Sequence, residues 1–182
     1  MSKPMPNKTV LDVVETLLAA ARHPDYTNIA RYGSDDMPGG QSPAGVKAAH
    51  MSGSVSMLWA ATVPPGAAPA QADEAGMVAS MPGRTLRLVM DLLDAAQPAA
   101  FTSWQLCAAP GVGWPETGRS PSAIRIVGAD GTVAYLRATA ASGPGGGAAE
   151  PKQNPCPDYT IPQEVKECRH SPNARRAEPV SV

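Results

Sequence analysis

The sequence predicts an α+β fold made of two tandem αβββ repeats. In each repeat a helix covers a three-stranded antiparallel sheet, the repeats are in a pseudo-twofold arrangement, and an extended C-terminal tail follows. Two observations carry this prediction. Residues 119–141 read as a second copy of residues 41–63 without a gap, and residues 86–102 match residues 11–27 upstream. Both copies therefore keep one order of elements, which shared composition alone does not produce.

Six identical pairs support the later block of the duplication. They are Ser42/Ser120, Pro43/Pro121, Gly53/Gly131, Val55/Val133, Leu58/Leu136 and Ala60/Ala138. The offset is 78 in this block and 75 in the upstream block. The difference falls in Pro/Gly-rich segments, 33–41 and 108–119, and loops of this kind tolerate insertions.

The predicted organisation has five segments. They are a flexible N-terminus (1–8), repeat 1 (9–63), an Ala/Pro-rich linker (64–83), repeat 2 (84–141), and a Gly/Pro-rich linker with a mostly extended tail (142–182). Each repeat spans roughly 60 residues, a size at which an isolated core is marginal. We therefore expect the two copies to pack together.

Each repeat is expected to begin with an amphipathic helix. Residues 9–21 place Leu11, Val14 and Leu18 at helical spacing, which builds one apolar stripe. Residues 84–96 repeat this pattern. Both stripes predict helices that cover a sheet.

The remaining elements of each repeat are read as strands. Residues 26–32 and 101–107 contain strand-favouring types, although short helices stay open for both. Residues 123–139 read as a hairpin, because apolar alternation flanks an Asp-Gly pair that ends at Gly131. The first copy has a Ser-Gly pair ending at Gly53, a weaker version of the same turn.

The overall composition narrows the class of protein. A formal net charge of −1 gives no general attraction to nucleic acid or acidic membranes. No stretch reaches the roughly 18–20 apolar residues that span a bilayer, and no apolar leader follows the N-terminus. Three cysteines do not make a disulfide framework. We expect a cytoplasmic protein without a membrane partner, and its Ala/Gly/Pro/Arg-rich composition resembles bacterial proteins from high-GC genomes.

No catalytic, cofactor-binding or metal site is predicted. His23 and His50 are expected to have structural or surface roles, because their counterparts in the second copy are Pro98 and Gly128. The Gly-rich stretch 143–147 lacks the Lys-Ser/Thr of a phosphate loop. Cys156, Cys168 and His170, with Asp158 as a fourth donor, have metal-ligand chemistry, but their spacing matches no common zinc pattern.

One strand face is a possible interaction surface. It comprises Arg119, Arg125, Tyr135 and Arg137 of the second copy with Lys47 and Trp59 of the first. A basic face with an aromatic residue binds acidic peptides or single-stranded nucleic acid, although such faces are often only solvated. Farther along the chain, residues 157–160 have the same sequence as residues 24–27, Pro-Asp-Tyr-Thr. This match suggests an extended segment that docks on a sheet edge.

The functional expectation is a small non-catalytic adaptor or regulatory protein that binds another macromolecule, most simply another protein. A small-molecule binder or enzyme with its site in the cleft between repeats is the first alternative. Weak nucleic-acid binding on the basic face of the second hairpin is the second. The sequence leaves the oligomeric state open and predicts no cofactor.

Overall fold

A computed structural model describes residues 5–33, 44–63, 81–108, 122–141 and 154–169. Within these ranges the elements are α1 (Asn7–Ala21), β1 (Tyr26–Tyr32), β2 (Gly45–His50), β3 (Val55–Val63), α2 (Met81–Ala96), β4 (Phe101–Ala108), β5 (Ser122–Gly128), β6 (Val133–Ala141), α3 (Gln163–Lys166) and a 3-10 turn (Glu167–Arg169). The predicted α+β class is confirmed. Residues 64–80 of the predicted linker, 142–153 of the second linker and 170–182 of the tail lie outside the described residues.

The six strands form one antiparallel sheet in the order β1-β2-β3-β6-β5-β4. The central pair is β3 and β6, which run from Val55 opposite Ala141 to Val63 opposite Val133. The strands β1 and β4 are the two edges. Both halves of the chain therefore belong to a single sheet, and β3 pairing with β6 is the seam between them.

Both long helices lie on the same face of this sheet. Leu17 of α1 and Leu92 of α2 belong to one apolar cluster with Leu58, Ile124 and Leu136 of β3, β5 and β6. The helices also contact each other. The two apolar stripes read from the sequence are thus buried in one core.

Both helices begin earlier than the repeat boundaries predicted from the sequence. Helix α2 starts at Met81 and takes Pro82 and Gly83 from the predicted linker. Proline is tolerated in a first helical turn, where its missing N–H has no intrahelical partner. Helix α1 starts at Asn7, and the preceding Met5 is buried, with its backbone N–H donating to Thr132 Oγ1 at 3.1 Å.

The described part of the tail packs on the helix layer. Val165 is fully buried in the main core cluster, and α3 contacts both α1 and α2. The Tyr159 hydroxyl donates to the carbonyl oxygen of Ala21 at 2.7 Å, and the Ala99 N–H donates to Arg169 O at 3.0 Å. Tyr159 therefore reaches the C-terminal end of α1, whereas the sequence had suggested docking on a sheet edge.

The other face of the sheet carries a smaller buried cluster. It contains Cys107, Ala123, Val133 and Tyr135, with Val127 against it. Both long helices lie on the opposite face, so this cluster is separated from the main core by the sheet itself. Within the described ranges, no helix is long and apolar enough to cross a membrane.

We expect Leu92→Ala to lower the free energy of unfolding by about 2–5 kcal/mol, because truncation of a buried leucine leaves a cavity. One core shared by both halves should then unfold in one transition. Urea unfolding of variants that keep only Trp59 or only Trp104 should give coincident midpoints, both lowered by Leu92→Ala. The exposed Met51→Ala change is the matched control and should shift neither. Two separated transitions would contradict a shared core.

Candidate functional site

A pocket of about 400 Å³ opens where the turn after α1, the start of β1, the first half of α2 and the tail segment meet. Its lining is mixed in chemistry, with aromatic, charged and apolar side chains. The lining residues are His23, Asp25, Tyr26, Arg84, Arg87, Leu88, Asp91, Asn154, Pro155, Cys156, Pro157, Tyr159 and Ile161. Three parts of the chain that are distant in sequence therefore form one concave site.

Local backbone geometry positions the first wall of the pocket. Helix α1 stops at Arg22, whose φ of 45° places it in the left-handed region. The chain then turns sharply, and the Tyr26 N–H donates to His23 O at 3.0 Å. This turn brings His23, Asp25 and Tyr26 to the pocket before β1 continues into the sheet.

Helix α2 and the tail form the other two walls. Arg84, Arg87, Leu88 and Asp91 are spaced by three, four and seven residues, so they lie along one stripe of α2. The tail contributes its residues 154–161, which are anchored next to the pocket by the Tyr159–Ala21 hydrogen bond. A ligand in this pocket would contact the helix layer and the tail at once.

Four rings form a continuous row, of which Tyr159, His23 and Tyr26 line the pocket and His50 lies behind it. The ring centroids of Tyr159 and His23 are 4.3 Å apart, those of His23 and Tyr26 are 5.3 Å apart, and those of Tyr26 and His50 are 4.7 Å apart. All three pairs are tilted, which is a favourable arrangement for aromatic edges and faces. The row leads from the pocket into the buried seam between the halves.

A chain of hydrogen-bonded side chains continues behind this row. His50 Nδ1 lies 2.8 Å from Asp25 Oδ2, and His50 Nε2 lies 2.8 Å from Ser56 Oγ. Ser56 Oγ is 2.9 Å from Thr85 Oγ1, which is 3.0 Å from the Tyr26 hydroxyl. Because Asp25 and Tyr26 both line the pocket, the chain begins and ends there.

Donor counting allows two proton arrangements in this network. The Asp25 carboxylate only accepts, so His50 Nδ1 donates to it. If His50 is neutral, Nε2 accepts from Ser56, which accepts from Thr85, which accepts from Tyr26. If His50 is protonated, Nε2 donates to Ser56, and Ser56 donates to Thr85, whose proton then goes to Met81 O at 3.2 Å. A proton added to His50 therefore reverses the direction in which the Ser56 and Thr85 hydroxyls donate their hydrogen bonds.

Asp25, His50 and Ser56 have the connectivity of a hydrolytic triad, yet the site lacks access for a substrate. His50 is 3% exposed and Ser56 is 0% exposed, and Ser56 Oγ already contacts Thr85. A nucleophile has to reach the atom that it attacks. The enclosed serine instead links the first half of the chain to α2.

Burial shifts the pKa values of several pocket groups. It raises the pKa of Tyr26 to about 12, and it raises the pKa of Cys156, where the nearby Asp25 carboxylate acts in the same direction. Burial lowers the pKa of His23, whose Nδ1 accepts the Asp25 N–H at 3.2 Å. Burial likewise raises the pKa of Asp91, partly offset by Arg87. The neutral forms of the phenol, thiol and imidazole are therefore favoured in the pocket.

The interaction face expected from the sequence lies on the opposite side of the sheet. Lys47, Trp59, Arg125, Tyr135 and Arg137 occupy positions of one face, and Trp59 is directly opposite Arg137. Tyr135 and Arg137 are only 6% and 7% exposed, and burial lowers the pKa of Arg137. The sixth predicted residue, Arg119, lies outside the described residues.

The residues weighed as metal ligands are spread over different parts of the tail. Cys156 lines the pocket, whereas Cys168 is in the 3-10 turn, where its Sγ donates to Glu164 O at 3.3 Å. His170 is outside the described residues. In the part of the chain that the structure describes, no group of three or more His, Cys, Asp or Glu side chains could hold a metal ion.

Sequence reasoning missed the polar network because its members are far apart along the chain. A signal was present nonetheless: at the offset of 78, His50 and Ser56 align with Gly128 and Ala134. A polar residue that aligns with glycine or an apolar residue is a candidate for a role beyond the formation of the fold. Comparison with protein-family models, with curated proteins and with solved structures finds no match to this chain.

We expect the network to show strong energetic coupling between Ser56 and Thr85. Ser56→Ala leaves the buried His50 Nε2 without its partner and removes one of the three contacts of the Thr85 hydroxyl, so it should cost about 1–3 kcal/mol of unfolding free energy. Thr85→Val should cost a similar amount, and the double variant should cost less than the sum. Urea unfolding of the four proteins measures this coupling. Additive costs would mean that the two hydroxyls do not interact.

We also expect His23 to make stability depend on pH below its ordinary pKa of 6.5. Its folded-state pKa is lowered, so the unfolded chain binds a proton where the folded chain does not, and falling pH favours unfolding. Unfolding free energies of wild type and His23→Gln should therefore converge, or cross, as pH falls below 6.5. Asp25 and His50 are unchanged in both proteins, so the difference isolates His23. A pH-independent difference would contradict this assignment.

Proposed function

We propose that this protein is a non-catalytic regulatory protein that binds a small organic ligand in the pocket at the seam between two duplicated halves. The observation that carries the proposal is the pocket itself, because its volume of about 400 Å³ is within the range of small-molecule sites. Its walls come from both halves and from the tail. Ligand binding would therefore stabilise the docked position of the tail relative to the helices.

Matching backbone features support the duplication. Arg22 and Gln97, related by the offset of 75, are the two non-glycine residues with positive φ in the described ranges, at 45° and 48°. Gly53 and Gly131, related by the offset of 78, have φ values of 88° and 82° in their hairpin turns. The register shifts near the start of β1 and β4 also correspond.

The register of the central strands is what a pseudo-twofold axis requires. Trp59 is paired with Arg137, its own counterpart at the offset of 78. On either side Val55 faces Ala141 and Val63 faces Val133, and the same offset relates Val55 to Val133 and Val63 to Ala141. An axis through the Trp59–Arg137 pair would relate both halves of the sheet.

Departures from this symmetry concentrate at the candidate site. Asp25, Tyr26, His50, Ser56 and Thr85 correspond to apolar residues or glycine in the other copy. The corresponding residues are Ala100, Phe101, Gly128, Ala134 and Val10. The equivalent positions Val10, Ala100, Phe101, Gly128 and Ala134 complete the sheet and helices without any polar side chain. The polar groups are therefore present at one of the two equivalent contacts between a helix and the opposite half, which supports a functional role for that contact.

Two features favour binding over catalysis. The serine of the Asp25–His50–Ser56 chain is enclosed, so its hydroxyl does not face the pocket. Burial raises the pKa of Cys156, which disfavours the nucleophilic thiolate. The polar network thus lies behind the pocket and connects it to α2 through Thr85.

Binding of another macromolecule through the outer face of the sheet is the second candidate. Lys47, Trp59 and Arg125 are exposed or half-buried there, close to the centre of the sheet. The two basic residues are on β2 and β5, three strand spacings or about 14 Å apart. A sparse basic face of this kind fits an acidic protein segment better than nucleic acid, whose affinity depends on closely spaced phosphate contacts.

A bulky substitution at Leu88 tests the ligand proposal. Leu88→Trp should fill part of the pocket, whereas Met51→Trp adds the same indole at a side chain that is 68% exposed. A low-molecular-weight metabolite fraction should raise the melting temperature of wild type and Met51→Trp, but not that of Leu88→Trp. No shift for wild type, or an equal shift for all three proteins, would count against ligand binding in this pocket.

A further inference from the structure

We infer that the ligand of this pocket is a planar aromatic ring that carries one anionic group, an inference that rests on the proposed function. The ring is expected along the row of Tyr159, His23 and Tyr26. The anion is expected on the α2 wall at Arg84 and Arg87.

The distribution of ring-bearing residues supports the aromatic half. The whole chain has four tyrosines, three histidines, three tryptophans and one phenylalanine. Two of the tyrosines and one of the histidines nevertheless line this pocket, and a second histidine continues the row behind it. Tilted rings at centroid distances of 4.3 and 5.3 Å provide edges and faces for a further ring. Such a concentration in an aromatic-poor chain favours a flat, unsaturated ligand.

The aromatic side chains of the pocket wall are themselves neutral, which suits an uncharged ring in the ligand. His23 accepts the Asp25 N–H through Nδ1, which holds the imidazole in a neutral form, and Tyr26 is a hydrogen-bonded phenol. Leu88 and Ile161 add apolar surface from α2 and from the tail. The volume of about 400 Å³ accommodates a ring system of one or two fused rings with a substituent.

The charges on the walls distinguish an anionic ligand from a cationic one. Of the two aspartates in the lining, Asp25 is engaged by a buried partner, whereas Asp91 forms an exposed pair with Arg87. Asp25 contacts the buried His50 at 2.8 Å, and removing it from this pair would leave a buried group without its partner. Arg87 is held by Asp91 at 3.4 Å in a pair whose side chains are 47% and 45% exposed, and pairs of this kind contribute little to stability. The α2 wall therefore carries two guanidinium groups, Arg84 and Arg87, against the single carboxylate of Asp91, and this balance favours an anion.

Arg84 places a second guanidinium on the same stripe of α2. It is close enough to the Tyr26 hydroxyl to lower the pKa of that phenol, although burial has the larger and opposite effect. Arg84 and Arg87 are three residues apart and so lie side by side on the helix surface. Two guanidinium groups beside a ring row match the carboxylate, sulfonate or phosphate of an aromatic acid.

Two fluorescent probes that differ in a single group test the inference. Anilinonaphthalene sulfonate has a ring system and one anionic group, and phenylnaphthylamine has the same ring system without the anion. We expect the sulfonate to bind wild type with one site and at least about tenfold more tightly than the neutral probe. Combining Arg84→Gln with Arg87→Gln should abolish this tenfold preference and leave the neutral probe unaffected.

Further variants separate the possible outcomes. His23→Ala and Tyr159→Ala should weaken both probes, and Arg125→Gln on the outer sheet face should weaken neither. Each variant is compared only after thermal unfolding shows that it is folded. Equal binding of the two probes to the pocket, insensitive to the arginine changes, would overturn the anionic ligand while leaving the pocket proposal in place. If His23→Ala, Tyr159→Ala and Leu88→Trp all leave probe binding unchanged, both the anionic ligand and the pocket proposal would be overturned.

Discussion

The pairing of β3 with β6 is the interaction on which the rest of the structure depends. Nine residues of each strand, from Val55 opposite Ala141 to Val63 opposite Val133, join the two halves of the chain into one sheet. Each half alone would have three strands and one helix, close to the lower limit for independent stability. The pairing also removes two sheet edges and leaves only β1 and β4 at the rims. Because the sheet is continuous, α1 and α2 lie side by side and share one core.

The continuous sheet also creates the position at which the candidate site is built. With both helices on one face, the start of α2 lies against the start of β1 and the β2–β3 hairpin of the other half. Thr85 meets Ser56 and Tyr26 across this boundary. A polar network there has to be completely satisfied, because unpaired groups in a buried seam are costly. The residues at offsets of 75 or 78 from the network positions, Val10, Ala100, Phe101, Gly128 and Ala134, are apolar or glycine.

Local patterns in the sequence were sufficient for much of the fold. The apolar stripes predicted both long helices. The turn pairs that end at Gly53 and Gly131 predicted the two hairpins, and both glycines have the positive φ that these turns require. The start of α2 was missed, because Pro82 and Gly83 resemble linker composition. The network was also missed, because His50 and Asp25 are 25 residues apart and come together only through strand register. Tyr159 was recognised as unusual, yet its contact with α1 depends on the path of the tail.

One wall of the pocket is formed by a tail segment that is synthesised after the sheet and both long helices. The sheet, both long helices and the polar network are complete once residue 141 has been made, whereas the pocket wall formed by Asn154, Cys156 and Tyr159 follows later. A polypeptide interrupted between these points would contain the sheet and both long helices, but it would lack Val165, which is fully buried in the main core, and the tail wall of the pocket. The same late segment therefore completes both the hydrophobic core and the pocket, so the pocket wall is fixed in place by core packing.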